Sequence, residues 1–324
     1  MLSINRSCNH GQSGSVIWVD LFNPSAEERR KVEQEFSVIL PSMKAMREIE
    51  ASSRLFQEDG VVYMTSLTAS QRDHPAEVTM VGFILKEDML ITLRHMDSLP
   101  FQRLHTLLSE ISHSFASGLM VFVTLLEGMV DHLADILEAC ADDLNQISAL
   151  TFSASAQEMT SHSPYKQVLM RIGQRGNQVS QINESLFNLE RIVTFIPKTE
   201  IFLPHTRNQE DKNQPSNRSM MPRFKTLRRD VLSLQEYSVF LSGKLTFLLD
   251  ATLGFIGIEQ NATIKIFSVL AVIFMPPTLI ASIYGMNFGF MPELDWPWGY
   301  PLAITIMTFS ALLTHRYFKR RNWL

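Results

Sequence analysis

Cysteine is nearly absent from this chain. Its 324 residues include two, Cys8 and Cys140, far apart and without metal-ligand spacing. Neither a disulfide framework nor a thiolate metal site is expected from them, and a reduced cytoplasmic location suits most of the chain. There is no GxGxxG and no P-loop, so no nucleotide site is indicated. The nine histidines show no HExxH or paired-ligand spacing, and no Ser or Cys stands in a nucleophile motif. An enzyme is therefore not expected, nor a cofactor. A net charge of −4 suggests neither nucleic acid nor a bulk electrostatic tether to membranes. Met1 to Ser15 is polar with no apolar centre, so no signal peptide is expected.

Long apolar runs are missing everywhere except near the end. Ile264 to Tyr284 carries one charge, Lys265, and meets the requirement of about 20 mostly apolar residues for crossing a bilayer. A second run, Tyr300 to Phe318, is apolar from Pro301 to Leu313 and then carries Thr314, His315 and Arg316, side chains that snorkel into headgroups. The loop Gly285 to Gly299 has no Lys or Arg but holds Glu293 and Asp295, whereas the tail holds Lys319, Arg320 and Arg321. The positive-inside rule then places both termini in the cytoplasm and the loop outside. Trp296, Trp298 and Tyr300 suit an outer aromatic belt, and Tyr317 and Trp323 an inner one.

The remainder reads as soluble. VIWVDL, VVYMTSL, VTMVGFIL and MLITLR are β-branched, strand-like runs, and AEERRKVEQEF between the first two is helical, with Asn23-Pro24-Ser25 supplying a turn and an N-cap at Ser25. A mixed or antiparallel sheet in an α/β domain is expected. A helix follows from Leu119 to Leu150. Its Glu127, Asp131, Asp135, Glu138 and Asp142 recur every three or four residues on one face, Asp143 sits beside them, and Lys and Arg are absent. That face is either solvated or a collector of divalent cations, which prefer oxygen ligands. A second helix is expected from Tyr165 to Phe195, antiparallel to the first. Pro197 to Pro222 reads as a linker. A third helix starts near Arg223 and, continued to Tyr284, would be roughly 90 Å long. It is apolar on more than one face and so needs neighbours, which oligomerisation would supply.

Stepping by three or four along the first apolar run gives Asn261, Ile264, Phe267 or Ser268, Ala271, Met275, Thr278 and Ser282. This stripe is smaller and more polar than the face carrying Val269, Ile273, Leu279 and Ile280. Periodicity alone allows a helix contact or a pore lining. Pro276-Pro277 removes two helix donors and is expected to bend the helix.

The loop after that helix opens Tyr284-Gly285-Met286-Asn287, within YGMNFGFMPELDWPWGYP. With GFIGIEQNATIKIFSVLAVIFMPPTLIASIYGMN and YFKRRNWL, and more loosely VIWVDLFNPSAEERRKVE and REIEASSRLFQEDG, this resembles the CorA family of magnesium channels over nearly the whole chain. The resemblance implies a funnel-shaped homopentamer: an α+β cytoplasmic domain (1–115), a helical stalk (116–260), a pore-lining transmembrane helix (261–284), an external loop (285–299), a second transmembrane helix (300–318) and a basic cytoplasmic tail (319–324).

It further implies that the stripe lines the pore, with Asn261 as an inner polar ring and Ile264, Phe267 and Met275 as hydrophobic constrictions that gate by dewetting. Tyr284, Gly285 and Met286 would shape the loop, Gly285 by allowing a tight turn, so that Asn287 faces the axis. Mg²⁺ dehydrates reluctantly, so Asn287 is read as a ligand of its hydration waters. One departure is Gly289, where many members carry an acidic residue. Also implied are Mg²⁺ as both substrate and regulatory ligand, Co²⁺ and Ni²⁺ as further ions, and closure by cytosolic Mg²⁺ between subunits, for which Asp230 and Asp250 are candidates. The expected function is thus Mg²⁺ uptake driven by the membrane potential across a bacterial inner membrane. Alternatives are a zinc-transporting relative, whose motif varies at the position of Met286, and a membrane-anchored sensor or scaffold.

Overall fold

The computed structural model describes residues 2–6, 15–47, 54–69, 78–110, 115, 117–153, 164–201, 220–287, 289, 291–292, 296–321 and 323. They form two compact units, Met1–Leu249 and Asp250–Leu324.

In the first unit the β-branched runs become β2 (Val16–Phe22), β4 (Val61–Ala69), β5 (Val78–Lys86) and β6 (Met89–Arg94). Two short strands, β1 (Leu2–Arg6) and β3 (Leu55–Glu58), close the edges of a sheet ordered β1-β2-β6-β5-β4-β3. β2 and β6 run parallel and the other neighbours antiparallel, so the sheet is mixed. The β3–β4 hairpin turns on Asp59-Gly60, both at positive φ, the Asp-Gly pair that a two-residue turn favours. β1 falls within the N-terminal stretch that reads as merely polar.

Strand alternation sends side chains to two faces. Trp18, Met64, Val81, Phe83 and Leu90 point into a core shared with helices later in the chain. Val19, Leu21, Tyr63, Ile84 and Ile91 meet Val32 of α1 (Ala26–Phe36) and Met46 of α2 (Met43–Met46). α1 begins with a capping box: the Glu28 amide donates to Ser25 Oγ at 3.2 Å and the Ser25 amide to Glu28 Oε2 at 2.9 Å. Two donors that would otherwise be orphaned are thereby satisfied.

The first face is covered by α3 (Leu99–Glu110), α4 (Gly118–Ser153) and α5 (Pro164–Phe195). Phe122 of α4 meets Phe83 edge-on at 5.3 Å. α4 starts against the β5–β6 turn, where the Gly118 amide donates to Asp88 O at 2.5 Å. A Cβ at Gly118 would lie 2.5 Å from the Leu90 nitrogen, so glycine is required there for close approach. Cross-helix bonds fix directions. Asp143 with Arg175 and Cys140 with Gln178 set α5 antiparallel to α4. Glu127 with Arg223 and Asn145 with Lys244 set the start of α6 (Met221–Tyr284) parallel to α4. A 3₁₀ turn, Ile196–Lys198, follows α5. Most of the expected linker, residues 202–219, lies outside the described residues.

One charged network is buried under this layer. Asp20 is 2% exposed. It accepts from Thr92 Oγ1 at 2.7 Å, Arg94 Nη2 at 2.9 Å and Arg94 Nε, and meets His105 Nε2 at 3.0 Å. Arg94 is sandwiched between Phe22 and Phe101, 4.6 and 4.7 Å from the ring centroids, and also bonds Asp97 at 2.8 Å. Burial works to raise the Asp20 carboxyl, but the bonds from His105, Arg94 and Thr92 outweigh it and hold the group below the ordinary carboxylate range.

α6 runs from the first unit into the second. There it is joined by α7 (Gly299–Arg320).

Candidate ion pathway

The second unit is built on an apolar stretch of α6 that the chain itself hardly covers. Among the described residues, α6 is the one helix long and apolar enough to cross a membrane. α7 has 22 residues, but Tyr300 and Pro301 at one end and Thr314, His315 and Arg316 at the other dilute its apolar centre.

From Asn261 on, the covered positions on α6 are Val269, fully buried, and Lys265, Ile273, Pro276, Pro277, Ile280 and Tyr284, partly covered. On α7 they are Gly299 and Ala303, with Met307, Ser310, Ala311, Thr314 and Phe318 partly covered. Each set follows one helical face, as in a packed pair, and small residues on α7 allow close approach. Leu279 departs from the sequence expectation: it is exposed rather than aligned with Val269, Ile273 and Ile280.

The stripe lies off this covered face. Asn261, Ile264, Ser268, Ala271, Thr278 and Ser282 are exposed, and Phe267 and Met275 stand 67% and 65% exposed. It is therefore not a contact between the two helices of this unit. Its hydroxyls are satisfied without water. Ser268 donates to Ile264 O at 2.8 Å, Thr278 to Phe274 O at 2.7 Å and Ser282 to Thr278 O at 2.8 Å. Donating back to the preceding turn leaves each oxygen free to accept.

Pro276 and Pro277 do not interrupt α6, which continues through both to Tyr284. Gly285 does not adopt a positive φ. Its amide donates to Ala281 O at 2.9 Å, and a Cβ there would stand 3.2 Å from that oxygen. The constraint is crowding at the helix end rather than left-handed backbone.

Past that end, Tyr284 is half-buried, and Met286 and Asn287 are exposed. The Asn287 amide has no hydrogen-bond partner among the described residues. Gly289 is exposed and open, while Glu293 and Asp295 lie outside the described residues.

The acidic face of α4 proves partly neutralised by cations from other helices. Asp143 is bonded by Arg171 and Arg175, and burial, which would raise its carboxyl, is outweighed by them. Glu127 is held by Arg223 at 2.8 and 2.5 Å. Asp131 moves the other way: burial, then Glu127 and Asp135, and Asp230 of α6 more weakly, raise it. Both regulatory candidates, Asp230 and Asp250, stand on α6, twenty positions apart. No cluster of three or more His, Cys, Asp or Glu suited to a metal occurs among the described residues.

The model of the CorA-like Mg²⁺ transporter protein family matches residues 13–320. The chain belongs to that family. It is 33% identical over 327 residues to a magnesium transport protein CorA of Pasteurella multocida, covering 100% of this chain and 96% of the relative. It is 34% identical over 319 residues to a magnesium transport protein CorA of Escherichia coli K12, covering 96% and 92%. The complete structure of the CorA magnesium transporter from Methanocaldococcus jannaschii superposes with a TM-score of 0.75 at 20% identity, over 100% of this chain and 98% of that one. At that identity the likeness speaks for the fold.

Proposed function

We propose that this CorA-family chain is one subunit of a homopentameric channel that admits Mg²⁺ across a bacterial inner membrane. The observation that carries this reading is an uncovered stripe of small, hydroxyl and apolar residues on a membrane-length helix, ending beside an exposed amide, Asn287. A stripe left bare by its own chain is covered by lipid or by other copies, and its small and hydroxyl residues suit other copies around a shared axis. α6 and α7 both span the bilayer, with termini inside and the loop outside. Asn287 holds a hydrated ion through its waters, and Tyr284, Gly285 and Met286 fix the loop. Asn261, Ile264, Phe267, Ala271, Met275, Thr278 and Ser282 line the conduit. Inward flow of a divalent cation gains about 4.6 kcal/mol per 100 mV of membrane potential, so no nucleotide is needed. Co²⁺ and Ni²⁺ pass as secondary ions.

Cytosolic Mg²⁺ closes the channel by bridging carboxylates of neighbouring copies, with Asp230 and Asp250 as candidates. The ion must then favour the closed state. Millimolar Mg²⁺ should protect the cytoplasmic part from protease and chelator should remove that protection. Asp230→Asn combined with Asp250→Asn should keep the channel open at high internal Mg²⁺. Indifference of both protease protection and flux to internal Mg²⁺ would end the feedback model. The transport reading itself is tested by Mg²⁺ uptake into vesicles holding the purified chain under an imposed potential, inside negative.

A further inference from the structure

The residues that follow α7 fold back on it. The Arg321 amide donates to Tyr317 O and Phe318 O, and the Trp323 amide donates to Phe318 O at 3.1 Å. The Trp323 ring lies 5.7 Å from that of Phe318, and Lys265 Nζ of α6 stands 5.5 Å from the Trp323 centroid. The Arg321 guanidinium covers Tyr317 at 5.8 Å, and Tyr317 meets Phe318 edge-on at 5.6 Å. An aromatic knot thus joins one end of α7 to the inner end of the apolar stretch of α6.

Cations surround the knot. Arg316, Lys319, Arg320 and Arg321 are all exposed. Positions 316, 319 and 320 share one helical face by their spacing. Among the described residues none of these four is paired with a carboxylate. Like charges so close repel, and no carboxylate described in this unit pairs with them. The partner that would do so is anionic, and the half-exposed Tyr317 and Trp323, at 55% and 48%, add a requirement for an apolar–polar boundary, where such rings settle. A free anion meets the first requirement only. A lipid with an anionic headgroup meets both.

We propose that this end of the second unit is a docking surface for anionic phospholipid headgroups. Arg316, on the face it shares with Lys319 and Arg320, takes the lipid phosphate in forked hydrogen bonds, and Arg321 adds charge beside Tyr317. Lys319 and Arg320 strengthen the field, and Tyr317 and Trp323 rest against the acyl boundary. The surface rests on the reading of α6 and α7 as membrane spans but not on which ion is carried. A general preference of basic residues for the cytoplasmic side would place the charges there, but it would not distinguish one lipid from another.

The test places the full chain in phosphatidylcholine bilayers doped with brominated phosphatidylglycerol or brominated phosphatidylcholine. Trp296 and Trp298, at the other end of α7, report membrane contact whatever the lipid charge. Trp323 is isolated by comparison with Trp323→Phe. The expected result is quenching of Trp323 by the anionic lipid at about one-thirtieth the mole fraction needed for the neutral one, as two effective charges would give. The preference should vanish in the Arg316→Gln, Lys319→Gln, Arg320→Gln, Arg321→Gln variant, while Trp296 and Trp298 quenching shows that variant still inserted. Inorganic phosphate at millimolar concentration should leave the preference intact. Equal quenching by the two lipids, a preference that survives neutralisation, or its removal by inorganic phosphate would each overturn the proposal and leave the membrane reading standing. Loss of all quenching, at Trp296 and Trp298 as well, would overturn both.

Discussion

The phenylalanines of the sheet core and those of the membrane-length stretch, one set in each unit, meet opposite surroundings. Phe83, Phe101 and Phe122 are fully buried in the first, whereas Phe267, Phe274 and Phe309 are largely exposed in the second. Buried charge follows the same divide. In the first unit Asp20 and Arg94 are enclosed and multiply bonded, and Asp143 and Glu127 find arginines on other helices. In the second, the basic residues at the end of α7 stand exposed, and apolar side chains face outward along most of α6. The first unit is a fold stabilised by excluding water. The second is stable only if something other than water surrounds it, either lipid or further copies of the chain.

Solvent-accessible chemistry sharpens that contrast most strongly. In a background with Cys8→Ser and Cys140→Ala, single cysteines at Ala271, Thr278 and Ser282 should react with small water-soluble thiol reagents and block transport completely. Cysteines at Ile273 and Ile280, on the covered face, should stay unreactive. Equal labelling of both faces would break the pore assignment and favour a plain anchor.

A matched pair of truncations comes next. Phe122→Ala should cost about 3–5 kcal/mol of stability in the first unit. Phe274→Ala, on an outward-facing position, should change stability by no more than about 0.5 kcal/mol. Thermal unfolding of the two variants in the same detergent measures both, and similar costs would erase the distinction between the units.

A smaller and pH-dependent effect belongs to Asp20. Its carboxyl is lowered in the folded state, so its stabilisation is complete above the ordinary value, about 3.9. That stabilisation is lost as pH falls through the folded value, because protonation then favours the unfolded chain. Hydrogen-exchange protection of the β2 and β6 amides, taken relative to the intrinsic rate at each pH, should fall on acidification in that range, and Asp20→Asn should flatten the response. An unchanged pH profile in the variant would remove Asp20 as the cause.

Much of this was readable from residue order. The four β-branched runs became strands because their side chains suit a pleated, half-buried surface, and Ser25 capped α1 because Glu28 stood three residues on. The edge strands Leu2–Arg6 and Leu55–Glu58 escaped notice, being short and mixed in polarity. Asp20 in the run VIWVDLF was the one available hint of a buried ion pair. Its partner Arg94 lies 74 positions away, beyond any local pattern. The acidic run on α4 looked uncompensated for the same reason: Arg171, Arg175 and Arg223 come from other helices. Near the proposed pore, the motif at Asn287 was plain in the sequence, but which side of α6 would be covered depended on α7. Leu279 is the residue that spacing placed on the wrong side.

The central claim is that a hydrated Mg²⁺ ion passes the exposed amide of Asn287. Uptake of Mg²⁺ by vesicles carrying the Asn287→Ala chain, with assembly checked by size-exclusion chromatography and light scattering, tests it most directly. An assembled oligomer with no flux is the predicted result, and undiminished flux through the same oligomer would contradict it.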